Sequence, residues 1–357
     1  MPPWRAISHG EFSNELKLTD IEIGKLQSWV ASGCEPGSLQ DAPEPPVYAN
    51  GWKNGKPDIL LTMPESFSLA PEGADEYRCF VLPQKFAQDY WIRVSEYHPG
   101  NRKVVHHITA YVDTTGVAEQ LDAADPGPGY VSYGNGPRFR AAAVLSGWAP
   151  GKLNSPLPDG VGTLLPKGGQ IVLEVHYHRT GKIEIDRSQV GLYFCKKPVN
   201  KRLRVMAVKQ LALYLPAGQA NCQVSAKLLL PVNVTLLDIT PHMHLLGKEM
   251  VVNANLPDGV CKQLVSVQNW DFFWQTMYEF RDPVKLPKDT LISLVAHFDN
   301  SSMNAKNPHL PPKDIYWGEQ TADEMCAAFI GFTVDSEELT KGIRAPKVND
   351  EEFGDAN

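Results

Sequence analysis

The apolar runs of this chain are short, and proline or glycine signals close them. Lys103 to Val112, Gln170 to His176, Gln189 to Phe194, Lys227 to Ile239 and Leu291 to His297 all follow this pattern. With 29 prolines and 28 glycines, most of them in this span, long helices are excluded, since proline removes a ladder donor and glycine costs backbone entropy. Alternating or fully apolar runs of this length read as strands. The pattern predicts an all-β protein: two tandem jelly-roll β-sandwich domains or related sandwiches, with a short helical N-terminal segment.

A chain of 357 residues suits two domains of about 150 residues, each burying its own core. The predicted boundaries are 1–46, 47–197, 198–340 and an acidic tail at 341–357. Residues 15 to 33 are the helical exception. Thr19-Asp-Ile-Glu22 reads as a capping box, and Ile23, Leu26, Trp29 and Val30 line one face before Gly33, so this helix is expected to pack on a partner. Glu35 to Pro46 reads as a linker, and Lys196-Lys197-Pro198 as the joint between the β units. Thr114 to Lys167 is loop-rich and aromatic, and loops of that length are usually functional.

A formal charge of -7 with no basic stripe argues against a nucleic-acid partner. No stretch approaches about 18 uninterrupted apolar residues, so no membrane span is expected, and no export signal is visible at the start. The six cysteines, Cys34, Cys79, Cys195, Cys222, Cys261 and Cys326, form no Cys-x-x-Cys pair. That excludes a zinc ribbon, a thioredoxin motif and a covalent haem site. Disulfides are favoured over buried free thiols, with no pairing assigned.

Chemistry concentrates in four phrases: Val105-His-His107, Val175-His-Tyr-His178, Pro241-His-Met-His244 and Asp323-Glu-Met-Cys326. His242 and His244 are two apart, so in a strand they share a face and can chelate one ion; a solvated strand face explains them equally well. His106 and His107 point to opposite faces of a regular strand and reach one metal only across a bulge; taken alone, the pair reads rather as one buried and one exposed histidine. His176 and His178 share a face with Glu174, and spacing does not choose between them. Met325 alone reads as core filler. Imidazole together with a thioether suits copper better than zinc, which points to redox chemistry.

Taken in order, these phrases resemble the copper type II, ascorbate-dependent monooxygenases, the family of peptidylglycine alpha-hydroxylating monooxygenase and dopamine beta-monooxygenase. The resemblance runs over about residues 76 to 333 and rests on several further phrases. These are Gly147-Trp-Ala-Pro-Gly151, Leu165-Pro-Lys-Gly168, His242-x-His244-Leu-Leu-Gly-Lys248 and Gly318-Glu-Gln-Thr-Ala-Asp-Glu-Met325-Cys326. It implies two jelly-roll domains holding two copper ions across a water-filled cleft. His106, His107 and His176 would bind an electron-storing copper, with His178 a spare candidate. His242, His244 and Met325 would bind the oxygen-activating copper. Dioxygen and one-electron donors such as ascorbate would hydroxylate a C–H bond of a small-molecule substrate.

The sequence departs from the peptide-hydroxylating relatives where they hold a peptide carboxylate: here Thr240, Ala327 and Phe329 stand in place of arginine, asparagine and tyrosine. An unpaired, desolvated carboxylate is costly, so peptide amidation is not expected. The disulfide partner that relatives offer to the cysteine beside the methionine is also unmatched between Val295 and Phe298, leaving Cys326 free. The block Trp270, Phe272, Phe273, Trp274, Tyr278 and Phe280 reads as sandwich core before substrate pocket. Asp299-Asn-Ser301 and Asn307-Pro308 are assigned to turns.

At the front, Met1-Pro-Pro-Trp4 and His9-Gly-Glu-Phe12, followed by the helix, resemble the end of a class I c-type cytochrome, whose attachment motif is absent. This implies haem only in a longer parent protein, an electron-donor cytochrome as partner, and a periplasmic or secreted location. The alternatives are a non-catalytic copper-binding protein on the same fold and a zinc hydrolase, in which Met325 would have no role.

Overall fold

The computed structural model describes residues 4–7, 10–13, 15–44, 51–133, 136–150, 152 and 154–346. The sequence readings at Met1, His9, the boundary near Val47, Gly151 and the acidic tail from 347 onward lie outside the described residues. The fold is all-β, and its described residues form two large hydrophobic cores and a smaller cluster around Cys79, Tyr130 and Val172.

In the first half, one five-stranded sheet runs Tyr130–Val131, Glu76–Lys85, Gln170–Tyr177, Val105–Asp113 and Ala143–Trp148, with neighbours antiparallel. The other runs Ile59–Thr62, Gln189–Phe194, Tyr90–His98, Val161–Leu165 and Lys201–Arg202. Leu82, Ile108, Ala110, Leu173, Val175 and Leu192 are among the residues that fill the space between them. The Gln170–Tyr177 strand is buried along its whole length, so both faces are covered.

The second half pairs the sheet Arg204–Lys209, Cys326–Val334, Val234–Met243, Tyr278–Leu286 with the sheet Cys222–Leu229, Leu291–Phe298, Gly247–Asn255, Cys261–Val267. Leu291–Phe298 alternates strictly between buried and half-buried residues, as a strand with one core face must. The joint falls later than Pro198. Lys201–Arg202 still pairs, in parallel, with the first half, and Arg204 already pairs with Phe332 of the second.

Several expectations change. The helix Asp20–Ala31 forms with its capping box intact, but none of its residues is buried, and Ile23, Leu26, Trp29 and Val30 stay exposed. The cap and local propensity are therefore what make it a helix, without a tertiary face. Residues ahead of it belong to the second core: Ala6 bridges to Val267, Phe12 bridges to Phe280, and Trp4 packs edge-on against Tyr278 at 5.1 Å. The loop-rich stretch carries a further helix, Val117–Ala124, whose entry is held by the Asp113 carboxylate accepting from the Ala118 N–H.

The expected disulfides are absent, and all six cysteines are free. The reason is placement. Cys79 faces Glu174 and Tyr130, Cys222 faces Phe298, Cys261 faces Asn255 and Cys326 faces Met243, so none of these strand cysteines stands opposite another.

Candidate metal centre

On the first half's inner sheet, His107 stands opposite His176, while Val105 already faces Tyr177. His106 is the extra residue of a bulge between them, the backbone bend that adjacent histidines need to converge. The Nδ1 atoms of His106 and His107 are 3.2 Å apart, and those of His107 and His176 are 3.4 Å apart. All three residues offer ligand atoms within 4.8 Å of one another. Two metal–nitrogen bonds of about 2.0–2.1 Å at a tetrahedral angle separate their nitrogens by about 3.3 Å, so the donor set fits one ion.

Burial first, and the neighbouring imidazoles next, push His106 down to about 3 and His107 well below the ordinary histidine value. His176 is lowered by burial too, although Asp75 opposes this. Burial thus favours the neutral form of all three rings, in which one nitrogen keeps a lone pair for a cation. His106 Nε2 is buried without a hydrogen-bond partner.

Asp75 Oδ2 accepts from His176 Nε2–H at 3.0 Å, which fixes the tautomer and turns Nδ1 toward the cluster. Burial acts to raise Asp75, but the bonds from His176 and Thr321 hold it well below the usual carboxylate range. The Tyr77 ring stacks on His176 at 4.0 Å. His178 is set apart, with its side chain 61% exposed against 2% for His176, and reaches only the outer oxygen of Asp75 at 3.3 Å.

The second cluster is built in the opposite sense. His242 and His244 share a face at the end of Val234–Met243, with ring centroids 5.3 Å apart. His242 Nδ1 donates to Gln275 Oε1 at 2.8 Å, and the Gln275 amide is oriented by its own donation to the Phe272 carbonyl. His244 Nδ1 donates to the Asp323 carbonyl at 3.2 Å. Both Nδ1 atoms are engaged, so the Nε2 lone pairs are the ones left for a ligand. Burial lowers His242 and lowers His244 further still.

His242 faces Ala327 and Met243 faces Cys326, where the paired register ends; His244 and the buried Met325 are the next residues along the two segments. The fully buried Glu324 pins this corner by accepting from the backbone N–H groups of His244, Leu246 and Met325. Burial outweighs those three donors and pushes Glu324 up to about 8. Gly247 closes the motif because a Cβ there would lie 2.8 Å from both Met243 and Trp270.

The two clusters meet at one ring. Phe272 stacks on His106 at 4.6 Å and meets His244 edge-on at 5.6 Å, so it spans the place where the resemblance implies a cleft. Of the aromatic block, Trp270, Tyr278 and Phe280 join the second core as expected, Phe273 is exposed, and Phe272 lies between the histidines.

Along the same sheet face, Thr240 pairs with Phe329, and Asp238 with Gly331. A Cβ on Gly331 would lie 2.2 Å from Asp238 Oδ2, so the glycine makes room for the acid. Burial pushes Asp238 up to about 6, opposed by the charge of Lys152 from the first half, whose own pKa burial lowers. Sequence reasoning missed Asp75, Gln275, Thr321, Asp238 and Lys152. Each sits far along the chain from the residue it serves, so no local spacing marks it.

No family model matches the chain, and no curated protein matches it. Among solved structures, the infectious bursal disease virus VP2 subviral particle aligns at 11% identity and a TM-score of 0.21, covering 87% of this chain and 77% of that one. The Gx strain of the same virus gives the same figures. Likenesses at these scores carry no argument about the site.

Proposed function

We propose that this chain is a two-copper monooxygenase that hydroxylates a C–H bond of a small organic molecule. The observation that carries the reading is the opposed presentation of the two clusters: Nδ1 atoms at 3.2 and 3.4 Å spacings on one side, and on the other two rings anchored by Nδ1 that leave Nε2 for a ligand. Copper bound there would supply one-electron storage at the first site and dioxygen activation at the second. The overall reaction takes substrate C–H, dioxygen, two electrons and two protons to C–OH and water.

The chain's own residues have distinct tasks. Asp75 orients His176 and makes that imidazole more electron-rich, which favours the oxidised metal. Gln275 and the Asp323 carbonyl orient His242 and His244 without adding full charge, and a thioether from Met325 would favour the reduced metal. Thr240, Ala327 and Phe329 themselves offer no cationic or phenolic anchor, and the nearby Lys152 charge is already faced by Asp238, so a peptide carboxylate is disfavoured as substrate. Phe272 places an apolar ring against one histidine of each cluster. Electrons would come from ascorbate or a cytochrome, in a periplasmic or secreted setting.

The test is copper reconstitution followed by oxygen uptake with ascorbate and a panel of small organic substrates. Product hydroxylation that requires copper and is lost in His242→Ala supports the reading. Two coppers bound with only uncoupled oxygen consumption would instead identify a copper-binding protein.

A further inference from the structure

A hydrogen-bonded path joins the two clusters through one compact loop. Asp75 Oδ2, which anchors His176, also accepts from Thr321 Oγ1 of the second half at 2.6 Å. Two residues on, the Asp323 carbonyl anchors His244. Between them the chain is a closed turn: Asp323 N–H donates to the Gln320 carbonyl at 2.9 Å, and the Asp323 carboxylate accepts from Gln320 N–H at 3.2 Å. A Cβ on Gly318 would lie 2.3 Å from that carboxylate, so the glycine makes room for it inside the turn. Tyr77, stacked on His176, ties the same loop down by donating to the Glu319 carbonyl at 2.5 Å.

We propose that Asp75 and Thr321 are positioning residues that couple metal binding at the two sites, so that filling the His106–His107–His176 site raises the affinity of the His242–His244–Met325 site. A cation on His176 Nδ1 strengthens the Nε2–H···Asp75 bond and fixes the carboxylate. The fixed carboxylate holds Thr321, and the hydrogen-bonded turn then holds the Asp323 carbonyl at the distance His244 needs. By reciprocity, filling the second site tightens the first by the same factor. The inference rests on the two-site reading above.

The experiment is anaerobic Cu(I) titration against a chromophoric chelator, with Cu(I) itself as the probe. Three proteins are compared: the unmodified chain, His107→Ala for the second site alone, and His242→Ala for the first site alone. The overall constant of the unmodified chain, divided by the product of the two single-site constants, gives the coupling factor. The expected factor is about fivefold or more. It should fall to about one when Thr321→Val is added to all three proteins and return with Thr321→Ser, which keeps the hydroxyl. A purely structural role for Thr321 would lower both single-site constants and leave the factor unchanged; that result overturns the proposal. Two coppers bound with a factor near one in the unmodified chain overturns the coupling alone, while uptake of a single copper overturns the two-site reading with it.

Discussion

The two histidine clusters use the same side chain and reverse its orientation. In the first half, a carboxylate holds a ring by Nε2 and leaves Nδ1 to converge; in the second, neutral oxygens hold two rings by Nδ1 and leave Nε2. The difference teaches that the anchor sets the electronic character of each cluster, and with it the oxidation state of a metal that the cluster would favour. An anionic partner raises ligand basicity and suits an oxidised ion, whereas neutral anchors beside a thioether suit a reduced one.

The comparison breaks most visibly if the clusters are not separate sites. His107→Ala and His242→Ala are each expected to lower copper uptake from two ions per chain to one, with elemental analysis as the check. Retention of two ions by either variant would contradict the ligand assignment. Met325→Ile sharpens the contrast: Cu(I) affinity at the second site should fall by more than about 100-fold, beyond the usual cost of losing an outer partner, with Cu(II) affinity changed less. Asp75→Asn addresses the first anchor. It should weaken Cu(II) binding at the first site by about 10- to 100-fold and raise that site's reduction potential, read by spectroelectrochemistry.

The smallest expected effect concerns the face beside the second cluster. The Asp238 carboxyl sits near 6 when folded and near the ordinary aspartate value of about 3.9 when unfolded. Between those values the folded chain keeps a proton that the unfolded chain gives up. The contribution of Asp238 to stability is therefore greatest below about pH 4 and declines as pH rises to about 6. Urea unfolding of the metal-free protein against Asp238→Asn should show the difference between the two shifting in that direction, on the order of 1–3 kcal/mol. A pH-independent difference would mean that Lys152 already holds the acid ionised.

Much of this architecture was legible because strand alternation and turn residues are local signals. Leu291–Phe298 alternates just as its sequence does, and the bulge that convergence of His106 and His107 would need is present in the strand, although adjacency alone did not predict it. What stayed hidden depends on contacts remote in the chain. Nothing near residue 176 announces Asp75, about a hundred positions earlier, and spacing alone left His176 and His178 equivalent until burial separated them. The apolar stripe of Asp20–Ala31 promised a partner that the described chain does not supply. An even cysteine count suggested bridges, yet pairing needs strands that bring thiols opposite one another, and the register of these sheets does not.

X-ray absorption at the copper edge of the fully reduced, reconstituted protein tests the central claim most directly. Two coppers per chain, a nitrogen-only shell at one and a sulfur scatterer at the other that vanishes in Met325→Ile, is the predicted result. A spectrum with no sulfur contribution, or one that Met325→Ile leaves unchanged, would contradict the account.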